Sequence, residues 1–117
     1  PGVGPLKLRA VSVRPSVVAR ISARDVNITA QVPALENAER FDLIVGTNVF
    51  LYYDRVQQGL AMVTVAEMLR PGGFLLSNNA LVEVPASGMR SIGYSKTVYS
   101  NREEDGDLII LYQKGMP

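Results

Sequence analysis

Few side chains here are equipped for chemistry, and two of the most versatile types are missing. Among 117 residues there is no histidine and no cysteine. Without imidazole, the commonest metal ligand and the commonest general base near neutral pH are both gone. Without a thiol there are no disulfides, zinc-thiolate centres or cysteine nucleophiles. A Ser-His-Asp hydrolase is excluded from these residues. Glu103, Glu104 and Asp105 offer carboxylates, but consecutive side chains in a turn point apart, which suits a solvated loop better than a cation cage. Tyr94, Tyr99 and Tyr112 could stack on bases. At their spacing in a hairpin, and with no basic surplus, core packing and cross-strand pairing are the expectation. Gly2 and Gly4 precede Pro5 with no helix between them and the next strand, so they read as a terminus rather than a cofactor loop. What remains is chemistry that works by alignment and exclusion of water.

The elements that would position such a site must come from one domain. Apolar residues make up 47% of the chain and charged ones 20%, a globular balance. Twelve basic and eleven acidic side chains nearly cancel, so no net field favours nucleic acid or an anionic membrane, and neither is expected as a partner. No apolar run approaches the roughly 18 residues of a bilayer span, and no signal peptide opens the chain, so a cytoplasmic location is the expectation. The length is short for a three-layer α/β enzyme, and the first residue is Pro1, so a processed product or a fragment is expected.

Residues 6–13 alternate and then turn uniformly apolar, as a strand entering a sheet would, until Pro15. Val17, Val18 and Ile21 predict a short helix over 15–24, and 26–32 reads as a second strand closed by Pro33. After a loop over 34–40, the run FDLIVGT at 41–47 suits a strand buried on both faces of a parallel sheet. Asp54 and Gln57 form a capping-box pattern at a helix start. Val56, Leu60, Val63, Ala66 and Leu69 share one predicted helix face, and Pro71 with Gly72 and Gly73 ends the helix. FLLS at 74–77 then completes a strand-helix-strand crossover. Residues 92–100 and 107–114 predict a hairpin turned at Asp105 and Gly106. Its apolar run at 108–112 belongs between two neighbours.

FDLIVGTNVFLYYD at 41–54, spaced from LRPGGFLL at 69–76 and followed by the terminal hairpin, resembles the later portion of class I S-adenosylmethionine-dependent methyltransferases. The first segment looks like the family's fourth strand, as in chemotaxis-receptor methyltransferases, and the second like its fifth. RAVSVRPSVVA at 9–19 is similar to the second strand and its helix, and VNITAQ at 26–31 to the third. The resemblance implies an α/β fold: a partial Rossmann-like sheet, mostly parallel, with a C-terminal antiparallel hairpin. It also implies S-adenosylmethionine as cofactor in the complete protein. Gly46, Thr47 and Asn48 would line the donor site, with Phe50 and Tyr53 walling the substrate entrance. Ser12 and Gln31 fall where the family places acidic residues for the ribose and the adenine, and neutral side chains hold these less strongly. Asn78, Asn79 and Glu83 follow the fifth-strand segment, where substrate contacts occur in the family. The competing reading is that Asn48 caps a turn and Phe50 fills core.

The family's first strand and glycine-rich turn have no counterpart, which implies a gap beside the fourth strand. Either the second strand closes it or another chain fills it, and a homodimer through the open centre is one form of the latter. Two functions follow: part of a methyltransferase acting on an unidentified acceptor, or a truncated, non-catalytic module used in assembly. Another doubly wound nucleotide-binding domain is disfavoured by the hairpin.

Overall fold

The computed structural model describes residues 8–32 and 34–116. Gly2, Gly4, Leu6 and Lys7 of the predicted terminus and first strand, and Pro33, lie outside them. A short helix α1 (Pro15–Val18) is followed by strand β1 (Phe41–Gly46), helix α2 (Arg55–Met68), strand β2 (Leu69–Ser77), strand β3 (Met89–Val98) and strand β4 (Gly106–Lys114). The four strands form one sheet in the order β1-β2-β4-β3.

The crossover predicted from 41–77 forms as expected. β1 and β2 run parallel, with Leu43 beside Phe74, Ile44 beside Leu75 and Gly46 beside Ser77. The hairpin forms too, and its apolar strand β4 lies between β2 and β3. The fold is therefore mixed α/β, but the expectation of a mostly parallel sheet is not met. Among the described residues only β1 with β2 is parallel, while β4 runs antiparallel to both neighbours. The physical reason lies upstream. A strand needs a partner for its backbone groups, and neither N-terminal segment finds one. Residues 8–13 form no strand and are exposed throughout. Residues 26–32 close on themselves: the Asn27 carbonyl accepts from the backbone N–H groups of Ala30 and Gln31, at 3.1 and 2.8 Å. Asn27 Oδ1 accepts from Thr29 N–H and Thr29 Oγ1. Such local bonds compete directly with a sheet ladder. The helix predicted over 15–24 shrinks to one turn with no side-chain cap and no buried residue, as an unsupported short helix does.

α2 begins as its sequence dictates. Asp54 Oδ1 accepts from Gln57 N–H at 2.8 Å, and Gln57 Oε1 accepts from Asp54 N–H at 3.0 Å. Asp54→Ala is expected to lower stability by about 1 kcal/mol, read from urea unfolding, with Asp54→Asn much closer to the parent. At the other end Lys114 Nζ, reaching across from β4, donates to the carbonyls of Ala66 at 2.6 Å and Leu69 at 3.0 Å. Its charge sits where the helix dipole is negative.

The buried face of α2 is the predicted one only in part, at Ala66 and Leu69. Ala61, Met62, Val65, Ala66 and Leu69 are buried, whereas Val56, Leu60 and Val63 stand exposed on the outer side. Residues 60–66 are apolar almost all round the helix, so periodicity could not say which stripe meets the sheet. The core joins α2 to Phe50, Leu75, Met89, Ile110 and Tyr112. Among the described residues no helix covers the sheet's other face, where Leu43 and Val45 are exposed. The radius of gyration, 17.1 Å, exceeds the roughly 13 Å of a compact chain of this length.

Candidate functional site

The carboxyl ends of β1 and β2 form the rim at which open α/β sheets hold ligands. Parallel pairing through Gly46 and Ser77 brings the two loop starts side by side. Asn48 N–H donates to Asn78 Oδ1 at 2.9 Å, and Asn78 Nδ2 donates to Asn48 Oδ1 at 2.8 Å. This reciprocal amide pair locks the rim. Asn48 has φ of 57°, a left-handed conformation that asparagine tolerates better than most residues. Asn48 thus sets the turn after β1, and the paired Asn78 had no sequence signal beyond its place after the strand. Thr47 is exposed beside it.

Gly46 and Phe50 are a matched pair. A Cβ on Gly46 would lie 2.5 Å from Phe50 Cε2, so the ring occupies the space that glycine leaves free. Phe50 is 1% exposed and belongs to the core. Tyr53 meets it edge to face, with centroids 6.3 Å apart, and is half-buried. Beneath them sits Gln58, which the sequence reading passed over. Its Nε2 donates to the carbonyls of Phe50 and Tyr53, and its Oε1 accepts from Val82 N–H, each at 3.4 Å. One side chain thus ties the loop after β1 to the loop after β2. The available signal was a polar residue on the same helix face as Ala61 and Val65. Tyr112, in the core, accepts from Leu81 N–H at 2.9 Å and pins the second loop from the sheet side. Asn79 Oδ1 is buried without a hydrogen-bond partner in that loop, and Glu83 is exposed.

The remaining expected site residues do not join the rim. Ser12 lies exposed in the unpaired segment. Gln31 is also exposed, and its Oε1 accepts from Asn27 N–H at 2.7 Å within its own turn. The cavity reaching Gly46, Phe50 and Tyr53 holds about 260 Å³ and is otherwise walled by apolar side chains such as Ile28, Ile44 and Val65. That is below the roughly 300 to 1,000 Å³ of ligand pockets, and none of Ser12, Gln31, Thr47 and Asn48 lines it. Among the described residues, the expected site residues do not gather into a cavity that fits a whole S-adenosylmethionine.

Elsewhere, Tyr94 and Tyr99 are surface residues rather than core, although Tyr94 does face Ile110 across the hairpin. In the turn, Ser100 Oγ donates to Asp105, and Arg102 pairs with Glu104 at 2.6 Å. Backbone hydrogen bonding, aided by Arg102, holds the Glu104 carboxyl below its ordinary range. Among the described residues no acidic cluster could hold a metal ion, and no helix is long and apolar enough to cross a membrane.

No family model matches the sequence, and no curated protein does. The fold does have counterparts among solved structures. The N-methyltransferase NodS from Bradyrhizobium japonicum WM9, in complex with S-adenosyl-L-homocysteine, is similar over 76% of this chain with a TM-score of 0.56 and 20% identity. A second NodS structure from the same organism is similar over 77% with a TM-score of 0.54 and 18% identity. The chain has a class I methyltransferase-like fold. It spans little more than half the length of these structures, 52% and 57%.

Proposed function

We propose that these residues form the later part of an S-adenosylmethionine-dependent methyltransferase, in which the β1 and β2 rim is one edge of the methyl-donor site. The observation that carries the reading is the Asn48 and Asn78 amide pair, which fixes the carboxyl ends of two parallel strands beside each other. The backbone of Gly46, Thr47 and Asn48 would face the donor, and Tyr53 the acceptor. Methyl transfer from a sulfonium is an in-line displacement that depends on alignment, so a rim without histidine suits it. The neighbour crystallised with S-adenosyl-L-homocysteine is a protein of this fold that binds the spent form of such a donor.

Calorimetry separates the parts of this proposal. The 117 residues alone are expected to bind S-adenosylhomocysteine no more tightly than millimolar, and micromolar binding would show that the missing portion is not needed. A chimera joining the unmatched part of the NodS chain to residues 41–116 is expected to bind at micromolar concentration. Asn78→Ala in that chimera is expected to weaken binding about five- to tenfold, the loss of about one hydrogen bond's worth of positioning. A folded chimera that binds nothing sinks the reading. A second reading, a non-catalytic assembly module, is favoured by the outer edge of β1, which has no strand partner among the described residues.

A further inference from the structure

The near-zero net charge hides a separation along the chain. Residues 8–24 carry Arg9, Arg14, Arg20 and Arg24 with no aspartate or glutamate, while all eleven acidic residues lie at Asp25 or beyond, against seven lysines and arginines there. One short stretch is therefore strongly basic, and the rest of the chain is acidic on balance. All four arginines are exposed, and none forms an ion pair among the described residues. Arg20 and Arg24 line a cavity together with Glu39 without pairing with it. The expectation of no membrane partner rests on the bulk balance, which averages this separation away.

The same stretch holds its aliphatic side chains in water. Leu8, Val11, Val13, Val17, Val18 and Ile21 are between 50% and 84% exposed. α1 is one turn, prolonged by the Arg20 N–H donating to the Val17 carbonyl at 3.0 Å and the Ile21 N–H to the Val18 carbonyl at 3.1 Å. Continuing that turn to Arg24 would put Val17, Val18 and Ile21 on one side of a helix, with Arg20 and Arg24 on the adjoining stripe. In water nothing supports such a helix, and α1 buries no residue. A layer of lipid headgroups would supply the support: the apolar side enters the acyl boundary, and the arginine stems reach back to the phosphates.

We infer that residues 8–24 are an interfacial segment that lies on an anionic lipid surface. Guanidinium groups suit lipid phosphates because their planar forks bond two oxygens at once. Nucleic acid fits less well. Residues 8–24 contain no aromatic ring to stack on bases and no amide side chain to read base edges, and their aliphatic side chains would stay hydrated. The segment lies on the surface and does not cross it, since no described helix is long and apolar enough. The inference stands on charge separation and exposure, and does not require the methyl-transfer reading.

The test is co-sedimentation of the 117-residue protein with vesicles. Binding is expected on vesicles of about 30% phosphatidylglycerol in phosphatidylcholine, roughly tenfold weaker on pure phosphatidylcholine, and weakened as salt rises from about 0.1 to 0.5 M. Arg20→Gln with Arg24→Gln is expected to weaken it about twentyfold, roughly fivefold for each arginine. Val17→Ser with Ile21→Ser, at exposed positions that should leave the fold intact, is expected to weaken it about threefold or more. Arg55→Gln with Arg90→Gln removes the same charge from exposed positions elsewhere and should leave binding within about twofold. The inference is overturned if the anionic vesicles bind nothing, if pure phosphatidylcholine binds equally well, or if the Arg55 and Arg90 pair matters as much as Arg20 and Arg24. An oligonucleotide that binds more tightly than the vesicles at equal salt overturns it in favour of nucleic acid. So does slow hydrogen exchange across residues 8–24 in lipid-free solution, which would make the protein itself, or a second copy, what covers the segment.

Discussion

Phe50→Ala is expected to destabilise the protein by about 3 to 5 kcal/mol, the range for removing a buried aromatic ring from a packed core. The ring is 1% exposed and fills the volume above Gly46, where no side chain other than hydrogen fits. Its loss opens a void that neither glycine nor the edge-on Tyr53 can occupy without moving the loop that Gln58 holds. Small domains are stable by only about 5 to 15 kcal/mol, so much of the molecule should populate the unfolded state in mild denaturant. Urea unfolding followed by circular dichroism gives the value. A ring that merely walled a substrate entrance would cost little stability on truncation, so a loss below about 1 kcal/mol would return Phe50 to the role that its resemblance first suggested.

Leu75→Ala should be comparably severe, at about 3 to 5 kcal/mol. Leu75 is fully buried in the middle of the sheet, registered with Ile44 on β1 and with Tyr112 on β4. These three side chains lie in one row on the face that α2 covers. Truncating the central one removes support from both strands at once, and the surroundings have little freedom to collapse because Tyr112 is fixed by its bond to Leu81. Leu43→Ala is the matched control. One position before Ile44, it points to the uncovered face, is 53% exposed, and should cost under about 1 kcal/mol. Equal losses at the two sites would mean that the second face is packed in solution.

What the sequence made legible was whatever its neighbours in the chain determine. Asp54 and Gln57 announce the start of α2, the pattern at 41–47 announces β1, and Asp105 with Gly106 lies at the turn between β3 and β4. Each signal is local, because capping bonds and turn dihedrals form within a few residues. β2 was underestimated: it runs from Leu69 rather than Phe74, because Gly72 takes φ of 80° and Gly73 lets the backbone pass close to the Arg70 and Asp42 carbonyls. Within the described residues, the strands expected over 8–13 and 26–32 failed for the opposite reason. Their β-like patterns were genuine, but pairing depends on a partner that these residues do not provide, and Asn27 offers 26–32 a turn instead. At the site, the adjacency of Gly46, Thr47 and Asn48 was trivially legible. The Asn78 partnership spans thirty positions and emerges only from the parallel register.

The bare second face of the sheet also shapes how the molecule responds to temperature. The heat-capacity increment of unfolding is set mainly by apolar surface that becomes newly hydrated. Leu43 and Val45 on the sheet, with Val56, Leu60 and Val63 on the outside of α2, already meet solvent in the folded state. The increment is therefore expected to fall below the roughly 1.2 to 1.5 kcal/mol/K of a fully packed hundred-residue domain, with a correspondingly shallow free-energy curve, as calorimetry would read. Warming and cooling alter such a fold gently, whereas covering that face would sharpen the curve.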